Sequence, residues 1–374
     1  MQVLVLLAFN ISFLNPIARA LDNFRMTDIF YDIDNSSEKK DTCETITLVD
    51  MTNIFNRAKL ADVVEEIQAL EPAVLGIDIV FDGIREDTVA NQRLLEVVRQ
   101  ESTTPPIWAF KLTEWSQEQE QFTQTFHSFF VDSVAVEEGF TNVQRDVNGG
   151  TVRSFGIQRI AGDDIQYSLP AKIAAAFTRD SSIMNRQTDC TICYSAAHFP
   201  VVPCDSIGDY TDLITGHIVL LGATHDQRDL HYTPIGRIAG IQVLAYTVLT
   251  LVERKIPVEC PFWLTLCITF ILIWLGQVFQ YGVIRYLTKR PYETLQYIGK
   301  NGLAASFVSF IFMCLLVGLS FLLFYQFNIY LNTAWAIMGI ALISNARLLY
   351  ALIVHLLSEH FHWKWLRRSL YKQQ

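Results

Sequence analysis

No G-x-S-x-G, G-x-G-x-x-G or phosphate-loop motif occurs in the 374 residues, and no serine has an evident base beside it. The usual anchors of a serine hydrolase, a dinucleotide site or a nucleotide hydrolase are therefore missing. Basic residues are outnumbered, 29 Lys and Arg against 38 Asp and Glu, for a net charge of −9. That balance argues against nucleic acid as a partner. Cysteine is sparse, 7 in all, with one C-x-x-C at Cys190 and Cys193 and no second pair to complete a zinc site. No internal repeat or low-complexity tract interrupts the chain.

Charge is missing altogether from two long stretches, 262–284 and 303–327. A third apolar run begins near Ile329 and reaches Leu357, broken by Arg347 and His355. About 20 apolar residues at roughly 1.5 Å each cross the hydrocarbon core of a bilayer, and uncharged runs of this length are not normal in a water-soluble fold. Three membrane-spanning helices are expected, over 262–284, 303–327 and 329–350, with Arg347 snorkelling. Gln277, Gln280 and Asn345 would hydrogen-bond between helices, and Trp263, Trp363 and Trp365 would anchor at the interfaces.

Lys and Arg set the orientation. Arg285, Lys289, Arg290 and Lys300 lie between the first two spans, and Lys364, Arg367, Arg368 and Lys372 come after the last, whereas YQFNIYLN between the second and third has no charge. Both basic segments belong in the cytoplasm, including the tail 358–374, and residues 21–256 are exported. The first 20 residues read as a signal segment or as an anchor whose beginning is missing; either would export the domain behind it. The expected location is the inner (cytoplasmic) membrane, multi-pass, with a periplasmic or extracellular domain and a cytoplasmic C-terminus. Five cysteines are then exported: Cys43, Cys190, Cys193, Cys204 and Cys260. Disulfides are the default there, with Cys193 and Cys204 the expected pair, though spacing does not fix the pairing.

The exported segment alternates strand and helix patterns. Strands are predicted at 45–51, 73–81 and 107–110, with helices at 58–70 and 89–98 between them; later come a helix at 168–177, a strand at 217–221 and a helix at 241–251. That order implies an α/β domain, a mainly parallel sheet covered by helices. Asp146-Val147-Asn148-Gly149-Gly150 signals a β-hairpin between the extended runs of 139–160. The polar stretch 111–138, with WSQEQEQFTQTF, is expected as a peripheral helix.

LADVVEEIQALEPAVLGIDIVFDG (60–83), GFTNVQRDVNGGTVRS (139–154) and HIVLLGATHDQRDLHYTPIGRIAGIQVLAYTVLTLV (217–252) together resemble the type-2 CHASE domains, extracytoplasmic sensor modules of bacterial signalling proteins. Gly222, Thr224, Asp229, Thr233, Pro234 and Gly240 match the last motif, Gly76, Asp78 and Phe81 the first, and Asp146, Asn148, Gly149 and Arg153 the middle one; NFRMTDIFYDI (23–33) is similar to the family's start. The resemblance covers about 20–255 and implies a receptor rather than an enzyme. Family members usually continue into a cytoplasmic output domain. Here the sequence stops at Gln374, so the output is expected from a separate cytoplasmic signalling protein. The resemblance also implies a homodimer, while membrane lipid is the expected contact of the basic tail. No cofactor is expected.

The loop after the strand at 217–221 holds His225, Asp226, Asp229 and His231. Zinc wants about four such ligands, but a loop this short rarely folds them to one point and neither His stands at helical spacing, so these are weak metal candidates and no metal is expected. The structural alternative has Asp229 accepting backbone N–H bonds while Thr233 and Pro234 set the exit toward Gly236. A ligand role is suggested by position, because open α/β sheets bind ligands beyond the carboxyl ends of their strands. Asp78 and Asp82 bracket the end of another strand. With His225 and Asp229 they would form an acidic pocket for a cation or an amine. The alternatives to a sensor are a membrane-tethered metal-dependent hydrolase and a non-catalytic scaffold subunit.

Overall fold

The computed structural model describes residues 26–36, 41–143, 150–300, 303–330 and 337, apart from single positions 53, 55, 188 and 196. The expected third span from Leu331 on, the N-terminal segment, the basic tail and the turn at 146–149 lie outside the described residues. The chain divides into two compact units, one running from Asp28 to Pro257 and the other containing the residues from Val258 on.

The first unit is built on six parallel strands. In chain order these are β1 (Ile46–Asp50), β2 (Val74–Ile77), the start of β3 (Ile107–Ser116), β5 (Glu137–Phe140), β8 (Val201–Pro203) and β9 (Ile218–Gly222). Across the sheet they run β8-β1-β9-β2-β3-β5, every pairing parallel. β1, β2 and β9 are apolar along nearly their whole length and are buried, as strands covered on both faces must be.

Helices α2 (Arg57–Ala69) and α3 (Thr88–Arg99) cover one face. Asn56 and Asp87 cap them, accepting from Ala58 N at 2.8 Å and Ala90 N at 3.0 Å, which satisfies amides that a helix start leaves orphaned. Leu60, Val64, Ile67, Leu94 and Val97 pack from these helices on Val49, Leu75, Ile77, Trp108, Val219 and Leu221 of the strands. Helices α4 (Leu169–Thr178) and α5 (Gly240–Val252) lie on the other face. Gly76 is required there, because a Cβ at that position would lie 2.3 Å from Ile173 Cδ1 of α4.

The α/β expectation and the placement of these strands and helices are met; three local expectations are corrected. WSQEQEQFTQTF is strand, not helix: β3 runs past the parallel sheet to Ser116 and returns antiparallel as β4 (Gln121–Phe126). Aromatic and β-branched residues favour that outcome, and Trp115 faces Phe122 with ring centroids 5.0 Å apart. The runs flanking Asp146 do not pair with each other. β5 pairs with β3, and Ser154–Phe155 pairs with Cys190–Thr191. The hairpin comes one step later, between β6 (Gln158–Ala161) and β7 (Asp164–Tyr167), where Gly162 takes a φ of +63°. Cys193 and Cys204 are not paired. The Cys193 amide bonds Thr250 Oγ1 of α5 at 2.9 Å, whereas Cys204 packs in the cluster under α2, so the sheet separates them.

Helix α1 (Met26–Ser36) is held to this unit at its own start and middle. Arg153, itself buried, grips Asp28 with two bonds, Nε to Oδ1 at 3.0 Å and Nη2 to Oδ2 at 2.6 Å. Tyr31 is buried edge-on against Tyr194, and Asn35 donates to Tyr194 O at 3.0 Å.

In the second unit, α6 (Phe262–Thr288), α7 (Glu293–Lys300) and α8 (Leu303–Phe327) follow one another. Trp263–Thr288 and Ser306–Phe327 are long and apolar enough to cross a membrane. They touch at Ile273 and Leu316, and Gln280 Nε2 reaches Ser309 Oγ at 3.4 Å. Phe270, Trp274, Phe279, Phe310 and Leu315 turn outward and stay exposed, a contiguous apolar surface that water would disfavour. Ile329 and Tyr330, expected to begin a span, instead pair as a short strand with Val258 and Glu259.

Candidate functional site

The strands end together, and their next residues form one rim. β1 and β2 flank β9, and their chains continue into helices on the face opposite α5. Connections that diverge to opposite faces leave a crevice at the carboxyl ends, where open α/β sheets bind ligands. Across this rim stand Asp50 from β1, Thr224 beyond β9, Asp78 beyond β2, Lys111 in β3 and Thr141 beyond β5.

Asp50 organises the left side. It accepts from Thr52 N and Thr224 N, both at 3.0 Å, and from the Thr52 hydroxyl. Thr52 Oγ1 in turn accepts from Thr224 N at 3.1 Å and His225 N at 3.0 Å. Burial alone would raise the Asp50 carboxyl, but the bonds from Thr52 and Thr224 outweigh it and hold it down at about 2. His225 Nδ1 stands 2.6 Å from Thr224 Oγ1 and 3.6 Å from Asp50 Oδ2, with its side chain 75 % exposed.

Asp78 and Asp229 make the centre. Asp78 N donates to Leu221 O at 2.9 Å, which fixes the backbone, and its carboxyl has the Thr141 hydroxyl where Asp50 has two amides and a hydroxyl. Burial first, and the Asp229 charge second, push that carboxyl up to about 7, against the pull of Lys111 and of the neighbouring Thr141 hydroxyl. Asp229 lies at the N-terminus of α5, where a helix favours negative charge. A Cβ on Gly240 would sit 2.3 Å from Asp229 Oδ2, so this approach requires the glycine. His231 Nε2 meets Asp229 Oδ1 at 3.2 Å.

The rim thus joins two of the expected acidic residues and separates the others. Asp82 is exposed, and it is its backbone carbonyl, with that of Gly83, that the buried Arg57 guanidinium holds at 3.0 and 2.8 Å. Asp226 caps the short turn Gln227–Asp229 by accepting from Arg228 N at 2.9 Å. Thr233 donates to Gly236 O at 2.8 Å and closes the hairpin of β10 (Leu230–Thr233) and β11 (Gly236–Ala239). Among the described residues Asp229 bonds His231 and not backbone amides; Asp50 and Asp226 perform that task. His225 and His231 turn to different carboxylates, and among the described residues no group of three or more His, Cys, Asp or Glu gathers as for a metal ion. Asp50, Thr52, Lys111, Thr141 and Arg57 were not expected. The first residue past each buried strand would have pointed to Asp50, and to Thr141 once β5 was placed.

An open parallel sheet with a polar rim at its carboxyl ends is a fold that can host a binding site there. The chain belongs to the CHASE2 domain family, whose model matches residues 3–278, from before α1 into α6. CHASE2 domains are extracytoplasmic sensory domains of signalling proteins. No curated protein and no solved structure gives a significant match.

Proposed function

We propose that this protein is a multi-pass receptor of the cytoplasmic membrane, and not an enzyme. Its rim at Asp78 and Asp229 detects a ligand outside the cell, its apolar helices carry the change inward, and a separate cytoplasmic signalling protein reads it. The observation that carries this reading is the family match, which runs unbroken from the sensory domain into the first apolar helix. The basic residues Arg285, Lys289 and Arg290 at the far end of that helix support a cytoplasmic location for it. A ligand acts in such a receptor only through unequal affinity for two arrangements of the domain. The basic tail contacts lipid and the cytoplasmic partner, and the receptor works as a homodimer.

The test is a crosslinked pull-down from native membranes, comparing the full chain with one ending at Glu359. A kinase, cyclase or other cytoplasmic signalling protein recovered with the full chain and lost with the shortened one is the expected result. No specific protein with either chain would overturn the split-receptor reading.

A further inference from the structure

We propose that the corner between α6 and α7 is a binding site for an anionic phospholipid. Arg285, Lys289 and Arg290 take the headgroup phosphate, and an acyl chain lies over Gly282. The inference rests on the part of the receptor reading that puts α6 across the membrane.

The uncharged run 262–284 ends at Arg285. At about 1.5 Å per residue that run covers about 35 Å, enough for the roughly 30 Å of hydrocarbon. The next uncharged run begins at Leu303. Residues 285–302 therefore stand at headgroup level, and they hold Arg285, Lys289, Arg290 and Lys300 against Glu293 alone.

Arg285, Tyr286, Lys289 and Arg290 are exposed, and their spacing puts them on one side of the end of α6. The Arg290 guanidinium lies over the Tyr286 ring, 4.3 Å from its centroid, and bonds the Tyr286 hydroxyl. Gln296 of α7 donates to the Arg290 carbonyl at 2.8 Å. This cation is thus held in place without a carboxylate. In the sensory unit Lys59, Arg93, Arg153, Arg159, Lys172 and Arg254 each meet a carboxylate. Among the described residues Arg285, Lys289 and Arg290 form no ion pair.

A helix C-terminus favours cations wherever it stands, so charge alone does not make a site. The second observation lies one turn earlier on the same side. A Cβ at Gly282 would meet nothing within 4 Å, while Val278, Tyr281 and Tyr286 around it are more than half exposed. The glycine leaves a notch among larger side chains, at hydrocarbon depth and next to the cations. A free phosphate or an acidic peptide would use the cations and leave the notch empty; a phospholipid uses both. Tyr292 and Tyr297, also more than half exposed, suit the membrane–water boundary, where tyrosine is enriched.

The experiment has two arms. Native membranes are washed at alkaline pH: a chain retained with the bilayer is the expected result, and a chain released overturns the span and this site together. The delipidated full chain in detergent is then titrated with phosphatidylglycerol or phosphatidylcholine, and native mass spectrometry reads the fraction carrying one lipid. Phosphatidylglycerol should bind about tenfold more tightly than phosphatidylcholine. Changing Lys289→Gln and Arg290→Gln together should remove most of that preference, and Arg290→Lys, which keeps the charge and loses the stacked plane, should lower it about twofold. Gly282→Leu leaves every charge in place, fills the notch, and should weaken phosphatidylglycerol binding a few-fold. Near-UV circular dichroism confirms that each variant is folded. Equal binding of the two lipids, or a preference kept by the folded double variant, overturns the site while leaving the span intact. Unchanged binding by Gly282→Leu reduces it to diffuse charge attraction and overturns it as well. A cytoplasmic protein whose recovery depends on Lys289 and Arg290, with no lipid preference, would assign the surface to that protein instead.

Discussion

Asp50 and Asp78 hold the same station on opposite sides of one strand. Asp50 pairs with Gly222 of β9, and Asp78, the residue after Ile77, stands level with the same glycine. Both come directly after buried apolar strand residues. Their carboxyls nevertheless diverge, one held at about 2 and the other pushed to about 7. Burial raises both. What differs is the number of donors: Asp50 collects two amides and a hydroxyl, whereas Asp78 faces a second carboxylate against only the pull of Lys111 and the Thr141 hydroxyl. The first aspartate is a brace for the β9 loop. The second is an acid held back from ionising.

The largest break in this comparison should come from Asp50→Ala. Three hydrogen bonds vanish and the amides of Thr52 and Thr224 lose their acceptor, for a loss on the order of 3 kcal/mol at pH 7, read from the denaturant midpoint of the sensory unit. Because Asp50 lies below its ordinary value, its stabilisation is present above about pH 4 and disappears as the pH falls toward 2. Asp78 has the opposite sign. Its contribution is full below about pH 4 and is lost as the pH rises through 7, so Asp78→Asn should gain on the order of 2–4 kcal/mol over the native chain at pH 8 and nothing at pH 4. Stability curves for both proteins over that range decide it; parallel curves would refute the assignment.

Gly240→Ala sharpens the contrast. The added methyl displaces Asp229, and the titration midpoint of Asp78, followed by carbon-13 carboxyl resonances, should fall by up to about one pH unit. The smallest effect belongs to His225→Ala. A side chain this exposed, 3.6 Å from Asp50, should change stability by less than about 0.5 kcal/mol, which differential scanning calorimetry can bound.

Much of the sheet was legible because β1, β2 and β9 are apolar runs with helical periods between them, a pattern few other folds satisfy. Asp78 and Asp229 were legible for the same reason: each stands just past such a run or in the loop it opens. The peripheral strand β4 was not, since QFTQTF is polar and is half exposed, so its pairing with β3 rests on cross-strand contacts that no single segment reveals. Thr141 was invisible because threonine is common on strands, and its place beside Asp78 is a property of the folded sheet. Asp82 misled in the other direction: its place after a strand is right, but Arg57, 25 residues earlier, takes its backbone carbonyl and leaves the carboxylate outside.

The fork between Arg153 and Asp28 also sets a register. An α-helix turns about 100° and advances about 1.5 Å per residue, so sliding α1 by one residue would tear both bonds together. The next acidic side chain on the same side, Asp32, lies four residues on, about 6 Å along the axis and about 40° past a full turn. Displacement of the helix along its axis is therefore resisted at two points, by this fork and by Tyr31 buried against Tyr194.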